Sequence, residues 1–277
     1  MFGSECVPAG LFTILICFVP ETPRYLVLTG QDGKALRILT RINGSEVALQ
    51  TLNDIKNTMT EKTEKLFSFG FMCVFVGIML SVFQQAVGIN AVLYYAPRIF
   101  TDMGMANPMM QTVIMGVVNI TFTLVAVFTV EKLGRKPLLI SGSIGMAIGA
   151  FGVALTFGND SLSTVTMLSI MVYSASFMFS WGPICWVYMA ELFPNTIRSS
   201  ATAIAVAFQW IFNFIVSSTF VPLFNMHLTR GDDFGHWFTY GLYGVICVVA
   251  ALFVWRLVPE TKGKTLEDMT KLWRKQA

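Results

Sequence analysis

The sequence predicts an all-α membrane protein with six full transmembrane helices, and three observations carry that prediction. The 277-residue chain is 55% hydrophobic and only 13% charged, with a mean hydropathy of +0.64, too apolar to cover itself with a water-facing surface. Six windows without Asp, Glu, Lys or Arg, Leu66–Pro97, Met103–Val130, Pro137–Asn159, Ser161–Ala190, Ser199–Thr229 and Trp237–Trp255, each reach the roughly 20 residues that a spanning helix needs. When these windows alternate across a bilayer, seventeen of the nineteen lysines and arginines fall on one side, leaving only Arg98 and Arg230 on the other. By the positive-inside rule the segment 21–65, the loop around Arg135 and the C-terminus are cytoplasmic. The net charge of +3 therefore reports topology and not nucleic-acid binding.

A seventh window, Cys6–Pro20, is too short to span and lies beside the N-terminus. It reads as a signal-like segment or the truncated end of a longer helix. A signal peptide is disfavoured, because the start lacks a basic region and Val19-Pro20-Glu21-Thr22-Pro23-Arg24 is no small-residue cleavage site. Glu21–Lys65 is the long polar stretch. Leu36, Ile38, Leu39 and Ile42, then Leu49, Leu52 and Ile55, form apolar stripes at helical spacing broken by Asn43-Gly44, which predicts two or three short amphipathic helices lying against the membrane domain. The expected organisation is a truncated span over 1–20, linker helices over 21–65, a transmembrane bundle over 66–257 and a cytoplasmic tail over 258–277.

The first full window carries an adjacent pair of amides and then a third, Gln84-Gln85-Ala86-Val87-Gly88-Ile89-Asn90. Amides in hydrocarbon cost free energy unless hydrogen-bonded, so the cluster predicts either a polar ligand met in mid-membrane or side chains tying helices together. Gly88 lets the helix loosen there, as transporter helices do near the bilayer midplane. Tyr94 and Tyr95 follow, suited to an outer gate or to plain packing. In the fourth window, Trp181-Gly182-Pro183-Ile184-Cys185-Trp186 predicts a kink at Gly182-Pro183; Trp181 reads as a tryptophan of the membrane interface, and the sequence leaves the depth of Trp186 open. In the fifth, Gln209 and Asn213 share a helical face with Trp210.

Two cytoplasmic loops carry opposite charges. Glu131-Lys132-Leu133-Gly134-Arg135-Lys136-Pro137 and Glu191-Leu192-Phe193-Pro194, with Arg198 following, offer carboxylates and guanidiniums that can pair across helix ends. Cys6, Cys17, Cys73, Cys185 and Cys247 lie in or beside apolar windows without a CxxC pair and read as small buried hydrophobes. His227 and His236 read as solvated loop residues without metal-ligand spacing. No HExxH or other catalytic set is present, which excludes the common membrane enzymes.

A weak repeat adds organisation. Val19-Pro20-Glu21-Thr22 follows the first apolar segment and Val258-Pro259-Glu260-Thr261 the last, as though the two segments end corresponding halves of a duplicated structure. The strings PETPRYL, FQQAVGINAVLYYAP, EKLGRKP, SWGPICW, ELFPNTIR, AFQWIFNF and VPETKGKTLE, spread over the whole chain, then carry a specific resemblance. The chain is similar to the C-terminal half of the sugar porter family of the major facilitator superfamily, and in particular to bacterial D-xylose:proton symporters.

That resemblance implies the six-helix C-terminal half of a twelve-span fold, preceded by the end of span six and cytoplasmic linker helices. It implies alternating-access transport of a monosaccharide, a pentose or hexose, with protons as the coupling ion, in a multi-pass protein of the bacterial inner membrane that needs no cofactor. Gln84, Gln85, Asn90, Asn119, Trp186, Gln209 and Trp210 would bind the sugar, Asn213 being secondary. Neutral amides suit hydroxyls, each of which donates and accepts, and an indole packs on sugar C–H groups. Tyr94 would gate, and Glu131, Arg135, Glu191 and Arg198 would form cytoplasmic salt bridges. The proton-coupling residues of such symporters lie in the N-terminal half, which would be a missing partner here. A facilitative sugar uniporter, or a non-functional half-transporter from a disrupted gene, would carry the same motifs.

Overall fold

The computed structural model describes residues 2–60, 66–102, 104, 107–157, 162–194, 196–226, 234–264, 269 and 273. Its contacts divide the chain into two units, Met1–Thr63 and Glu64–Ala277. His227, Arg230, Asp160, Asp232 and Asp233 lie outside the described residues, as does the side chain of Cys6.

In the first unit, α1 (Phe2–Ile16) is followed by α2 (Pro23–Leu28), α3 (Asp32–Asn43) and α4 (Ser45–Thr60). Thr22 caps α2 by accepting from Tyr25 N at 3.3 Å, with Pro23 at the first helical position, where its missing N–H costs nothing. The amphipathic stripes fold as the spacing predicts: Leu26, Ala35, Leu39, Ala48 and Leu52 form a small core flanked by Leu36, Ile38 and Ile55. Ile42 and Leu49 are exposed instead and take no part in that core. Lys56 bridges to Asp32 at 2.5 Å across the α3–α4 pair. Cys17 is exposed, against its reading as a buried hydrophobe, because the neighbouring α1 residues are exposed too; its thiol donates to Thr13 O.

In the second unit, the six predicted spans are six helical stretches apolar and long enough to cross a membrane. The first is broken into α5 (Phe71–Ala86) and α6 (Ile89–Tyr94), with α7 (Ala96–Asp102) beyond it. Then come α8 (Pro108–Leu133) and α9 (Arg135–Thr156). The fourth span is broken into α10 (Ser163–Phe179) and α11 (Trp181–Leu192), and α12 (Arg198–Phe224) and α13 (Phe234–Leu257) complete the set. Helices form because a bilayer supplies no partner for backbone N–H and C=O groups, so each span must satisfy them internally.

The core lies where α9 packs between α10 and α13. Gly142, Gly145, Gly149 and Gly152 line one face of α9, and a Cβ on any of them would collide with α10 at Ser180, Ser176, Tyr173 or Ser169. Small residues at this spacing let two backbones approach, the usual means of tight packing where lipid gives helices no hydrophobic reason to associate. The spans differ in burial: the most apolar stretch of α5–α6 is 72% buried, that of α8 only 11% and that of α12 22%.

The fourth span breaks at Ser180 (φ −131°, ψ −86°), before the Gly182-Pro183 position expected from sequence. In a continuous helix the Pro183 ring would strike the carbonyl of Phe179, four residues earlier. Breaking at Ser180 makes Pro183 the third residue of a new helix, where an N–H is not required. His236 also differs from expectation. It lies in α13, its ring 4.3 Å from Phe157 and 4.2 Å from Phe224; the helix begins two residues before it, earlier than the uncharged window suggested.

Candidate functional site

The site begins with the break in the first full span. Gly88 adopts φ +85°, a left-handed conformation that glycine takes without strain, and a Cβ there would lie 2.4 Å from the Tyr243 ring. The hydroxyl of Tyr173 donates to the Val87 carbonyl, giving this acceptor a partner at the point where the helix stops. The turn has a consequence for the amides. Residues five apart on a straight helix do not face one another, yet Asn90 Nδ2 donates to Gln85 Oε1 at 2.6 Å.

Gln85 is the hub. Its Oε1 also accepts from Asn213 Nδ2 of α12 at 2.9 Å, and its Nε2 donates to Gln84 Oε1 at 3.2 Å. Gln84 Nε2 reaches the Trp181 carbonyl at 3.4 Å, beside the second helix break. The four amides thus form one chain joining α5, α6 and α12 to the start of α11. Asn213, expected to be secondary, is an integral member of it. Buried amides bonded in series are rigid, and their unused donor and acceptor positions stay oriented.

Around this chain lies an open cavity of about 460 Å³. Gln84, Gln85, Asn90, Gln209 and Asn213 form its polar wall, and Tyr94, Trp186 and Trp210 its aromatic rim. Gly182 and Pro183, at the start of α11, lie against it and leave Trp186 to project from the next turn. Trp186 is 46% exposed and Trp210 63%. Gln209 is buried, and its Oε1 has no hydrogen-bond partner; a buried acceptor in that state costs about 1–3 kcal/mol until a donor reaches it. Such a cavity offers amide donors and acceptors, indole faces and no charge, a chemistry suited to a neutral polyhydroxyl ligand.

The other sequence-derived residues fall elsewhere. Asn119 is absent from the cavity lining; its Oδ1 accepts from Ser174 Oγ at 2.7 Å, tying α8 to α10, and Thr123, one turn along α8, lines the cavity instead. Tyr95 stacks on Phe220 with 5.2 Å between ring centroids, while Tyr94 stays 59% exposed at the cavity. Trp181 is no interface residue: it is fully buried, donating to Ser143 Oγ at 2.7 Å and Leu139 O at 3.1 Å. Cys73, Cys185 and Cys247 are buried as expected.

The charged motifs meet at the basic ends of the helices. Arg135 bridges Glu131 at 3.0 Å and Glu191 at 2.7 Å. Arg198 donates to the Phe193 carbonyl from Nε and Nη2. Sequence reasoning missed the centre of this cluster, Glu260. Its carboxylate accepts from the backbone N–H groups of Arg135 and Lys136, both at 3.0 Å, and from those of Thr261 and Lys262. It therefore caps α9, where the helix dipole favours an anion. Gly134, at φ +92°, permits the approach: a Cβ there would lie 2.9 Å from a Glu260 oxygen. Thr261 Oγ1 donates to Glu191 at 2.6 Å, and Tyr188 Oη to the Pro259 carbonyl at 2.6 Å. The repeated Val-Pro-Glu-Thr string marked this segment, but its role depends on residues 70 to 125 positions away.

Six apolar spans among the described residues, two of them broken beside a shared polar cavity, define the C-terminal half of a transporter of the major facilitator superfamily. The profile of the family described as "Sugar (and other) transporter" matches residues 1–273, and the chain belongs to that family. It is 47% identical to the D-xylose-proton symporter of Escherichia coli K12 over 99% of this chain and 56% of the relative. It is 38% identical to the glucose facilitated diffusion protein of Zymomonas mobilis, over 99% of this chain and 59% of that protein. Among solved structures, the proton:xylose symporter XylE bound to 6-bromo-6-deoxy-D-glucose matches with a TM-score of 0.83 and 47% identity, covering 98% of this chain and 58% of the other. The inward-open form of the xylose transporter XylE from E. coli matches with a TM-score of 0.77. The chain thus spans little more than half the length of the curated relatives it matches. Proteins of this family are transporters and not enzymes.

Proposed function

We propose that this chain forms one wall of the sugar site of a monosaccharide transporter that works by alternating access, with proton coupling. The observation that carries the reading is the amide chain of Gln84, Gln85, Asn90 and Asn213, facing a cavity with Trp186, Trp210 and the unpartnered Gln209 Oε1. Sugar hydroxyls would take the remaining amide positions, a hydroxyl would donate to Gln209, and the two indoles would pack on the ring's C–H faces. Tyr94 would close the rim. The bonds of Arg135 to Glu131 and Glu191 would hold the basic ends together in one state and break in the other.

Proton coupling is supported by relatives whose names include D-xylose-proton and arabinose-proton symporters. The described carboxylates of the bundle, Asp102, Glu131, Glu191 and Glu260, all lie at or beyond helix ends. The proton carrier would therefore lie on a partner half, and facilitated diffusion is the second reading, favoured by the Zymomonas relative. The positive-inside bias supports a cytoplasmic 21–65 linker and C-terminus in a bacterial inner membrane.

The test is uptake of labelled D-xylose by cells expressing the chain together with the first six spans of a xylose symporter. Gln209→Ala and Trp186→Ala are each expected to weaken apparent affinity about tenfold, the worth of a hydrogen bond or an aromatic contact of about 1–1.5 kcal/mol, at unchanged membrane abundance. Unaltered affinity in both variants sinks the site. A pH-independent uptake replaces symport by facilitated diffusion.

A further inference from the structure

The outward face between α9 and α13 carries a seam that the sugar site does not use. One half is a cavity of about 380 Å³ in which Ile140, Ile144 and Phe151 of α9 face Val248, Leu252 and Trp255 of α13. The other half, about 350 Å³, is bounded by Leu155, Trp237, Gly241 and Val245, and shares Phe151 with the first. Phe151 itself is fixed against Gly244, where a Cβ would lie 2.8 Å from its ring. The two cavities therefore meet at Phe151 along the helix pair.

The seam's ends are marked. Trp237 and Trp255 are 18 residues apart, five full helical turns, so they share one side of α13 about 27 Å apart. That is close to the roughly 30 Å thickness of bilayer hydrocarbon, and tryptophans settle at the two headgroup levels. Both are exposed, at 52% and 64%. The ends differ in charge. At the Trp255 end, Lys136 lies one turn before Ile140 on the same face of α9, and Arg256 follows Trp255 on α13. Among the described residues, Glu131 pairs with Arg135, and Glu260, bonded to the backbone of Arg135 and Lys136, keeps a negative charge that Lys136 and Arg256 together outweigh. At the Trp237 end, residues 149–157 and 234–245 contain no lysine or arginine.

We infer that the Trp255 half of this seam is a binding site for an anionic phospholipid, one acyl chain lying between Ile144 and Leu252 and the headgroup phosphate between Lys136 and Arg256. An apolar seam alone would accept any lipid chain; the cation pair at one headgroup level selects negative charge there. Each cation near an anionic membrane surface contributes about a fivefold preference.

The experiment uses the full chain reconstituted in phosphatidylcholine vesicles and titrated with dibrominated phosphatidylglycerol or dibrominated phosphatidylcholine. The quenching of Trp255 is read as the difference between wild type and Trp255→Phe. Wild type is expected to reach half-quenching at a several-fold lower mole fraction of the phosphatidylglycerol. The double variant Lys136→Gln/Arg256→Gln removes that preference, and Lys264→Gln, a cation beyond the seam, leaves it intact. Equal quenching by both lipids in wild type overturns the site. So does an equal loss in Lys264→Gln, which reports general surface charge, or a Trp255 that neither lipid quenches, which places another protein surface over the seam.

Discussion

Tyr173 shows how much one side chain can fix. It is buried in α10, and its hydroxyl serves the Val87 carbonyl at the break on which the amide chain depends. Tyr173→Phe keeps the ring and leaves that carbonyl without its partner, at a cost of about 1–3 kcal/mol. Hydrogen exchange at the amides of Val87 to Ala91 is expected to rise while exchange in α13 stays constant; unchanged exchange at the break refutes the role. At this scale the sequence was partly legible. Gln84, Gln85 and Asn90 stood out because an amide in an uncharged window is costly. Asn213 stood out less, since its value lies in a 2.9 Å contact with Gln85, 128 residues away. Asn119 has the right chemistry on the right span and spends it on Ser174, a choice of side-chain direction that spacing does not reveal.

Helix breaks and caps belong to the scale of elements. Six spans were readable because charge is excluded from hydrocarbon and windows record that exclusion directly. Gly88 was readable because glycine marks a loosened helix, whereas the fourth span broke at Ser180, displaced from Pro183 by the steric reach of the proline ring over one turn. The glycine face of α9 had no such signal: it becomes meaningful only when α10 is laid against it. Gly149→Leu is expected to force the two helices apart, since a Cβ there already meets Tyr173 at 2.7 Å. A loss of at least several degrees in thermal midpoint in detergent checks this, and an unchanged midpoint refutes the close packing. Removing the α9 cap with Glu260→Ala is expected to cost about 1–2 kcal/mol, measured by the same unfolding transition, with the exposed Lys264→Ala as a near-neutral control.

Over the whole molecule, charge sets direction. Seventeen of nineteen cations lie on one side of the alternating windows, so in a cysteine-less background Lys264→Cys is expected to react with an impermeant thiol reagent only in inside-out vesicles. Asn107→Cys is expected to react only in right-side-out ones, and labelling of both in one preparation contradicts the orientation. The low burial of α8 and α12 leaves apolar and aromatic surface exposed around the cavity. The Glu260 cap also sets a schedule for synthesis. Arg135, whose N–H Glu260 holds, emerges from the ribosome 125 residues before it, a lag of about 6–25 s at 5–20 residues per second. During that interval the first N–H groups of α9 lack this carboxylate, so the cap is the last of the described bonds at Arg135 to form, after those to Glu131 and Glu191 can be made.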